Sequence, residues 1–436
     1  MQSVHLISLG CSKNLVDSEV MLGSLLNAGF VLAADPKVAE IIIVNTCAFI
    51  DEAKEEAIDT ILEAAKFKRE GACKYLIVTG CLAQRYQDEL VELLPEVDLF
   101  VGTGEFPKIA SLIKDIENAD KLNIGTPEFL YDHESQRVSL TKPHLAYVKI
   151  AEGCSNNCSY CAIPKIRGRY RSRDTESVIS EVKNLLNRGV KEINLIAQDT
   201  TAFGSDLKSE HKLTHLLNRL NDLPDKKWIR LLYTYPNSIT KELLDIVNSK
   251  NDIVPYLDIP VQHISDKILT CMRRRGNSEE LRRLFTLIRK YYPNIFLRTT
   301  VMVGFPGEGK KEFDELIKFV TEFEFDHLGC FVFSPQDGTS AAKMKGHVNK
   351  EIAIARRNTI MDLQREISEK RLEALIGKDL EVLFEGESAR HAGQAPDVDG
   401  IVEIEGKLPK AGEFVKVKIT SSSDYDLTGT ISGLTS

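Results

Sequence analysis

The chain has 436 residues, 43% of them hydrophobic and 28% charged, with a formal net charge of −8, as expected of a soluble globular protein of two or three domains. That charge excludes a molecule that is basic all round, and no apolar run approaches the ~18 residues that would cross a bilayer. The N-terminal MQSVHLISLGCSKN has no basic stretch ahead of a long apolar one, so a cytoplasmic protein is expected. In that compartment its nine cysteines read as metal ligands, catalytic thiols or core packing rather than disulfides.

In chain order, the apolar runs VHLISLG (4–10), EIIIVNTC (40–47) and KYLIVTGC (74–81) alternate with amphipathic stretches at 17–30, 51–68 and 87–94. Strands of continuous apolar type between helices predict a doubly wound parallel sheet. Asp17 or Ser18 is the expected N-cap of the first helix. The polar, aperiodic stretch 119–139 reads as a linker, which places a first domain at 1–118. From residue 145 six further strands are expected, AYVKIAEG, KEINLIAQD, WIRLLYTYP, VPYLDIPVQH, IFLRTTVMVGFPGE and HLGCFVFSP, with helices such as 176–189 and 309–323 between them. That pattern, over 140–368, predicts a partial (β/α) barrel. A long helix from about Asn349 to Ile376 should end at Gly377. Beyond it the period switches to two in LEVLFEG, GIVEIEG, EFVKVKIT and LTGTISG, which predicts a small antiparallel OB-like barrel over 369–436.

Cys154, Cys158 and Cys161 form C-x₃-C-x₂-C in GCSNNCSYC, directly after the first barrel strand. Such a loop lies at the C-terminal face of the strands, where barrel active sites are built. Three thiolates hold three irons of a [4Fe–4S] cluster and leave one iron open. S-adenosylmethionine can chelate that iron, and an electron from the cluster then releases an adenosyl radical; a structural zinc would need a fourth ligand. A second set, Cys11, Cys47 and Cys81, ends the first three strands at separations of 36 and 34 residues. In a parallel sheet these ends share one edge, so the three should converge as a second cluster with an open iron. Cys73, Cys271 and Cys330 have no such partners and read as core residues.

Weaker signals surround these sets. KIRGRYRSR (165–173) carries five Lys/Arg and no acid, and either contacts RNA or a carboxylate at the site mouth or is a solvated loop. RRR at 273–275 reads as surface. Tyr160 and Ile163 flank Cys161 and suit either adenine or core packing. Gln198 and Asp199 end the second barrel strand, the place where radical-SAM proteins, which the three-cysteine loop resembles, contact the methionine amino group. Arg298, inside a strand, needs a carboxylate partner, which the cofactor could supply. Gln262 and His263 end another strand, and His263 reads as structural. VGFPGE (303–308) is a turn apt for close backbone approach. GTGE at 102–105 lacks the context of a dinucleotide site.

LGCSKNLVDSE, NTCAFI, TGCLAQRY, EGCSNNCSYCAIP and VGFPGE, followed by a small β-domain, resemble the methylthiotransferase family over nearly the whole chain. The resemblance implies an N-terminal cluster domain, a radical-SAM core and a TRAM domain. Cys11, Cys47 and Cys81 would hold an auxiliary [4Fe–4S] cluster, and Cys154, Cys158 and Cys161 the cluster that binds S-adenosylmethionine. SLGCSKNLVDSE and GQAPDVDG are similar to the branch that modifies a ribosomal-protein aspartate, whereas tRNA-modifying branches typically carry GCQMN where this chain has GCSKN. The implied reaction takes a hydrogen atom from the aspartate β-carbon of a small-subunit ribosomal protein, free or on the assembled subunit. Sulfur held on the auxiliary cluster and methylated by a second S-adenosylmethionine then joins that carbon. An external reductant and sulfur source are needed, and no membrane and a monomer are expected. Residues 377–436 hold 6 Lys/Arg against 11 Asp/Glu, an excess suited to a basic protein partner rather than to RNA phosphates. The alternatives are a tRNA adenosine methylthiotransferase and a non-catalytic iron–sulfur redox or RNA-binding protein.

Overall fold

Apolar runs buried on both sides become the inner strands of a parallel sheet. The computed structural model describes residues 1–208 and 212–434. Its first unit contains β1 (Ser3–Ser8), α1 (Ser12–Asn27), β2 (Val31–Leu32), β3 (Ile41–Thr46), α2 (Asp51–Glu70), β4 (Tyr75–Gly80), α3 (Cys81–Leu93), β5 (Leu99–Val101), α4 (Ile109–Lys114) and β6 (Leu122–Asn123). The strands form one sheet in the order β2-β1-β3-β4-β5-β6, every pair parallel. The chain leaves β1 toward β2 on one side and returns to β3 on the other. The β1/β3 edge is therefore the switch point, where such sheets bind ligands. Within the polar stretch 119–139, β6 adds an edge strand to this sheet.

Two helices begin earlier than their periodicity suggests. α1 starts at Ser12 with Cys11 as its N-cap, not at Asp17 or Ser18. Asp17 is only 3% exposed and is engaged in ion pairs with another part of the chain, so tertiary pairing overrides its capping preference. α3 starts at Cys81 and breaks at Gln87, whose φ is 41°.

The second unit runs through β7 (Leu145–Lys149), β8 (Ala151–Glu152), α5 (Ile163–Ile166), β9 (Arg171–Ser172), α6 (Thr175–Asn187), β10 (Glu192–Ile196), α7 (Leu213–Asn221), β11 (Trp228–Leu231), α8 (Lys241–Ser249), β12 (Ile253–Asp258), α9 (Asp266–Cys271), α10 (Ser278–Tyr291), β13 (Phe296–Val303), α11 (Lys310–Phe323) and β14 (His327–Val332). The six expected strands form an open parallel sheet in the order β14-β13-β12-β11-β10-β7, and β8 pairs with β9 as a short antiparallel ribbon beside it. Along β13 the residues alternate, Leu297, Thr299, Val301 and Val303 buried and Phe296, Arg298, Thr300 and Met302 half-buried. One face packs under helices and the other lines the barrel interior.

α12 (Lys350–Glu373) follows, and Gly377 with φ of 83° ends that segment. A closed five-stranded barrel comes next: β15 (Asp379–Phe384), β16 (Ala389–His391), β17 (Val402–Glu405), β18 (Phe414–Ser422) and β19 (Leu427–Leu434). Four of these are the expected runs. β16 is too short to show a period, and β17 pairs with β19 in parallel rather than antiparallel.

Residues 390–399 leave this small barrel and enter the large one. Arg390 pairs with Glu192 at 2.5 Å, Arg230 donates to Ala392 O at 2.7 Å, and His327 Nε2 donates to Gly393 O at 2.7 Å. Tyr147 and Tyr256 donate to Asp397 and Asp399 at 3.3 and 2.8 Å. Glu192, Phe296 and His327 each open their strands, so this arm closes the N-terminal end of the barrel. A Cβ on Gly393 would lie 2.5 Å from the Phe296 ring, so only glycine allows the approach. Arg298 finds its carboxylate here, in an ion pair with Asp399. The expectation that a cofactor supplies that partner is corrected: the barrel arginine is neutralised by the C-terminal domain.

Asp399→Ala leaves Arg298 without its close partner, and urea unfolding of the apoprotein should register a loss of about 3–5 kcal/mol; a loss below about 1 kcal/mol would mean that the arm merely rests on the barrel. His391 is the pH-sensitive part of the arm, since burial and then the His327 charge hold its pKa down to about 3. The unfolded chain protonates first, so this residue's contribution is full above pH ~6.5 and declines by up to ~1.4 kcal/mol per unit below it. The stability difference between wild type and His391→Asn should narrow between pH 7 and pH 4.

Candidate active site

The C-x₃-C-x₂-C loop lies between the β8/β9 ribbon and α5. Cys154 N–H donates to Gly168 O at 3.1 Å and Asn156 N–H to Cys154 Sγ at 3.4 Å. Ser159 ties the far side, through its N–H to Met272 O at 2.9 Å and its hydroxyl to Cys271 O at 2.7 Å. Burial pushes the Cys161 thiol up to about 12, helped by the facing Cys158 and Cys154. Burial likewise raises Cys154, to which Asp199 and Cys158 add. The three thiols therefore face a common space. Tyr160 is buried edge-on to Phe305 with ring centroids 6.4 Å apart, packed with Ile268, Met272 and Phe333. Ile163 is buried as well.

Cys11, Cys47 and Cys81 meet at the predicted sheet edge. Cys11 caps α1, Cys81 opens α3, and Cys47 lies just ahead of α2, so three helix N-termini with their partial positive charge converge on the trio. Burial drives Cys81 up to about 12 and raises Cys47, and in both cases the neighbouring cysteines add to the rise. Cys11 goes the other way: burial raises it, but Lys13, Arg167 and the N–H groups of Asn14 and Lys13 outweigh that and leave it lowered. Gly10, with φ of 86°, makes the fit possible, since a Cβ there would lie 2.6 Å from Cys47 Cβ. Asn14 Nδ2 donates to Leu9 O at 2.7 Å and Asn45 Nδ2 returns to Asn14 O at 3.0 Å, fixing α1 to the β1/β3 edge.

Arg167 joins the two loops. It is 2% exposed, donates to Asp17 at 2.8 Å and Asn14 at 3.2 Å, and points Nη2 at Cys81 Sγ from 3.6 Å. Lys149 pairs with Asp17 and, at 2.5 Å, with Glu152. The basic run is thus not one surface. Arg167 and Arg173 are buried, the latter on Glu181, while Lys165 and Arg169 are exposed. RRR at 273–275 is surface at Arg273 and Arg275, both exposed, and only Arg274 turns inward. Arg274 donates to Pro260 O at 2.6 Å, and Arg275 donates to Asn156 at 2.9 Å and lies 4.0 Å from Asp199. With Ser155, Tyr170 and Asp206, these last three residues line a 210 Å³ cleft beside the cluster loop. Gln198 is half-buried past the end of β10; Asp199, not Gln198, enters the cleft. Asn156 and Glu152 carry no signal in the sequence, and Asp17 and Arg274 carry a different one, because isolated polar residues acquire meaning only when distant segments meet.

The remaining candidates are structural. Gln262 bonds through its backbone to Thr300 and Met302. His263 is fully buried and accepts from Ser265 N–H at 3.0 Å. In VGFPGE the close backbone approach is made by the chain itself: a Cβ on Gly304 would meet Ala353 of α12 at 2.5 Å. Gly102 and Gly104 pack on Gln84 and on the Thr126 carbonyl. Cys73 packs in the core of the first domain, and Cys271 and Cys330 flank the barrel core. The acidic excess of residues 377–436 is partly internal. Glu385 and Asp399 pair with Arg390 and Arg298, leaving seven exposed acids against five exposed bases.

Both trios suit iron–sulfur clusters: three thiols facing one another, helix N-termini or backbone N–H groups aimed at sulfur, and an arginine within electrostatic reach of each. Among the described residues no group of three or more His, Cys, Asp or Glu side chains is drawn in to the spacing of a single-ion site; cluster thiolates bind separate irons and need not meet at one point.

Residues 3–102 match the uncharacterized protein family UPF0004, residues 148–320 the Radical SAM superfamily, and residues 376–431 the TRAM domain. The chain is 46% identical to the ribosomal protein uS12 methylthiotransferase RimO of Pelobacter propionicus, over 99% of this chain and 98% of that one. It is 47% identical to the protein of the same name from Geobacter sulfurreducens, over 99% and 98%. Among solved structures it is similar in fold to TsrM, a radical S-adenosylmethionine methyltransferase from Kitasatospora setae, with TM-score 0.58 and 16% identity over 76% of this chain and 73% of that one.

Gly10→Ala tests the Cys11 trio without removing a ligand. The new methyl should displace Cys47, so the anaerobically reconstituted variant should lose iron from that site and keep it at the other, read by iron content and by electron paramagnetic resonance. Iron equal to wild type would show that Cys47 does not bind a cluster in this position.

Proposed function

Because the chain belongs to the RimO family of radical-SAM methylthiotransferases, we propose that it adds a methylthio group to the β-carbon of an aspartate in ribosomal protein uS12. The observation that supports this most is that Cys11, Cys47 and Cys81, distant in sequence, converge into one trio while Cys154, Cys158 and Cys161 form another, with Arg167 at the first and Arg274 at the second. Cys154, Cys158 and Cys161 hold the [4Fe–4S] cluster. When bound there, S-adenosylmethionine supplies a radical able to take a hydrogen atom from an unactivated carbon. Cys11, Cys47 and Cys81 would hold a second cluster, which would supply the sulfur chemistry of the transfer.

The chain's own residues position and shield. Asn156, Asp199 and Arg275 shape the cleft beside the first trio, and Gln198, next in sequence to Asp199, contacts the methionine part of S-adenosylmethionine. Arg85 donates to Gln336 and to Asp337 O at 2.8 and 3.0 Å, and Asp51 accepts from Ser334 and Gln336. These bonds latch the first domain over the loop after β14 and keep water from the space between the trios. The reductant and the sulfur come from outside. No helix among the described residues is long and apolar enough to cross a membrane, and the protein works as a monomer in the cytoplasm, where uS12 is available free or on the small subunit. A tRNA substrate would want a basic groove along its phosphates; the exposed charges of the C-terminal domain do not form one.

Mass spectrometry on a strain lacking this gene decides the substrate. A methylthio group should disappear from one uS12 peptide while tRNA adenosines keep theirs, and Cys11→Ala or Cys158→Ala should fail to restore it. Loss from tRNA with uS12 unchanged would transfer the chain to the tRNA-modifying reading.

A further inference from the structure

Buried cations normally stand beside carboxylates. Among the described residues Lys149, Arg167, Arg173, Lys227, Arg230 and Arg390 all do. Lys13 does not. It is 5% exposed, and no Asp or Glu among the described residues lies within ion-pair distance of it. Its ammonium instead rests 3.1 Å from the centroid of the Tyr233 ring. Its place is unfavourable in a second way, since it sits in the first turn of α1, where the helix dipole opposes a positive charge. Its charge is felt by Cys11 and by Asp258, but it is hydrogen-bonded to neither, so its N–H donors are left for a group that arrives later.

The surroundings show what fits. Tyr233 follows β11 with a φ of 60°, strained for a bulky residue, as is common at binding sites. Its hydroxyl meets Ser12 Oγ at 3.4 Å and its N–H donates to Asp258 Oδ2 at 3.0 Å. The other oxygen, Asp258 Oδ1, is buried without a hydrogen-bond partner, 3.9 Å from Arg298 Nε. Lys13, Tyr233 and Asp258 thus stand together where the barrel strands end and the first domain begins, next in the chain to Cys11. Burial raises the Asp258 carboxyl in spite of Arg298.

We propose that Lys13 is the specificity residue for the reaction: its ammonium binds the side-chain carboxylate of the target aspartate and so holds the β-carbon beside the Cys11 trio. This rests on the uS12 reading above and names the group that recognises the substrate. A carboxylate on Lys13 replaces the missing partner, and the Tyr233 ring keeps the ammonium from reaching elsewhere. An asparagine in the same place offers no charge.

The test uses the full chain with its clusters loaded, kept anaerobic, and two labelled uS12 peptides, one with the target aspartate and one with asparagine in its place. By fluorescence anisotropy, wild type should bind the aspartate peptide about tenfold more tightly or better. Lys13→Met, similar in length but uncharged, should bind both peptides equally, and Lys13→Arg should keep the preference. Should Lys13→Met carry less iron than wild type, Tyr233→Leu, which removes the ring beneath the ammonium, carries the same expectation. Lys13→Met with an intact preference overturns the assignment to Lys13 alone. So does an equal weakening for both peptides that leaves their ratio unchanged. Wild type that binds neither peptide overturns the substrate reading, and this inference with it.

Discussion

Asp17, Lys149, Glu152 and Arg167 form a neutral square of buried charge, and the relation between the first domain and the barrel depends on it. Asp17 comes from α1, Lys149 and Glu152 from the first barrel strands, and Arg167 from beyond the cluster loop. No member can leave without stranding a charge in a dry interior, which typically costs several kcal/mol. Glu19, Arg137, Glu181 and Arg173 extend the same arrangement along α1 and α6. This interface cannot slide: small shifts would break many charge-assisted bonds at once. The two thiol trios, built on different domains, inherit a fixed separation from it.

Arg167 has a second role. Its guanidinium faces the thiols of Cys81 and Cys11 as well as the carboxylates, so the group that locks the domains together also offsets negative charge where thiolates must gather. Structural and chemical demands thus fall on one side chain, and a change there alters both.

The strands and the two cysteine sets were legible in the sequence because both rest on short-range pattern. β3 is buried over its whole length and reads as one apolar run. Cys11, Cys47 and Cys81 occupy the same point of successive strand–helix units, so parallel pairing brings them together. What could not be read depends on distant partners. Asp17 looks like a helix cap until Lys149 and Arg167 are beside it. Arg298 needs a carboxylate, but nothing local says that Asp399, 101 residues on, provides it. Alternating arginines in 165–173 look like a basic surface because composition does not say which of them turn inward. The acidity of the last sixty residues looked like a docking face for the same reason, although Glu385 and Asp399 serve inside.

The arm of residues 390–399 gives the C-terminal barrel an unexpected standing. Such domains are easily pictured as detachable modules joined by a tether. Here the arm is the floor of the catalytic barrel, touching the first residues of β10, β13 and β14. Deleting the domain removes a wall, so a truncated chain that fails says nothing about substrate docking. A chimera that borrows this domain from another protein inherits the same constraint: the donor must bring equivalents of Gly393 and Asp399, or the host must surrender Arg230, Arg298 and His327. The boundary between these two units is therefore a paired surface, in which a change on one side needs a matching change on the other.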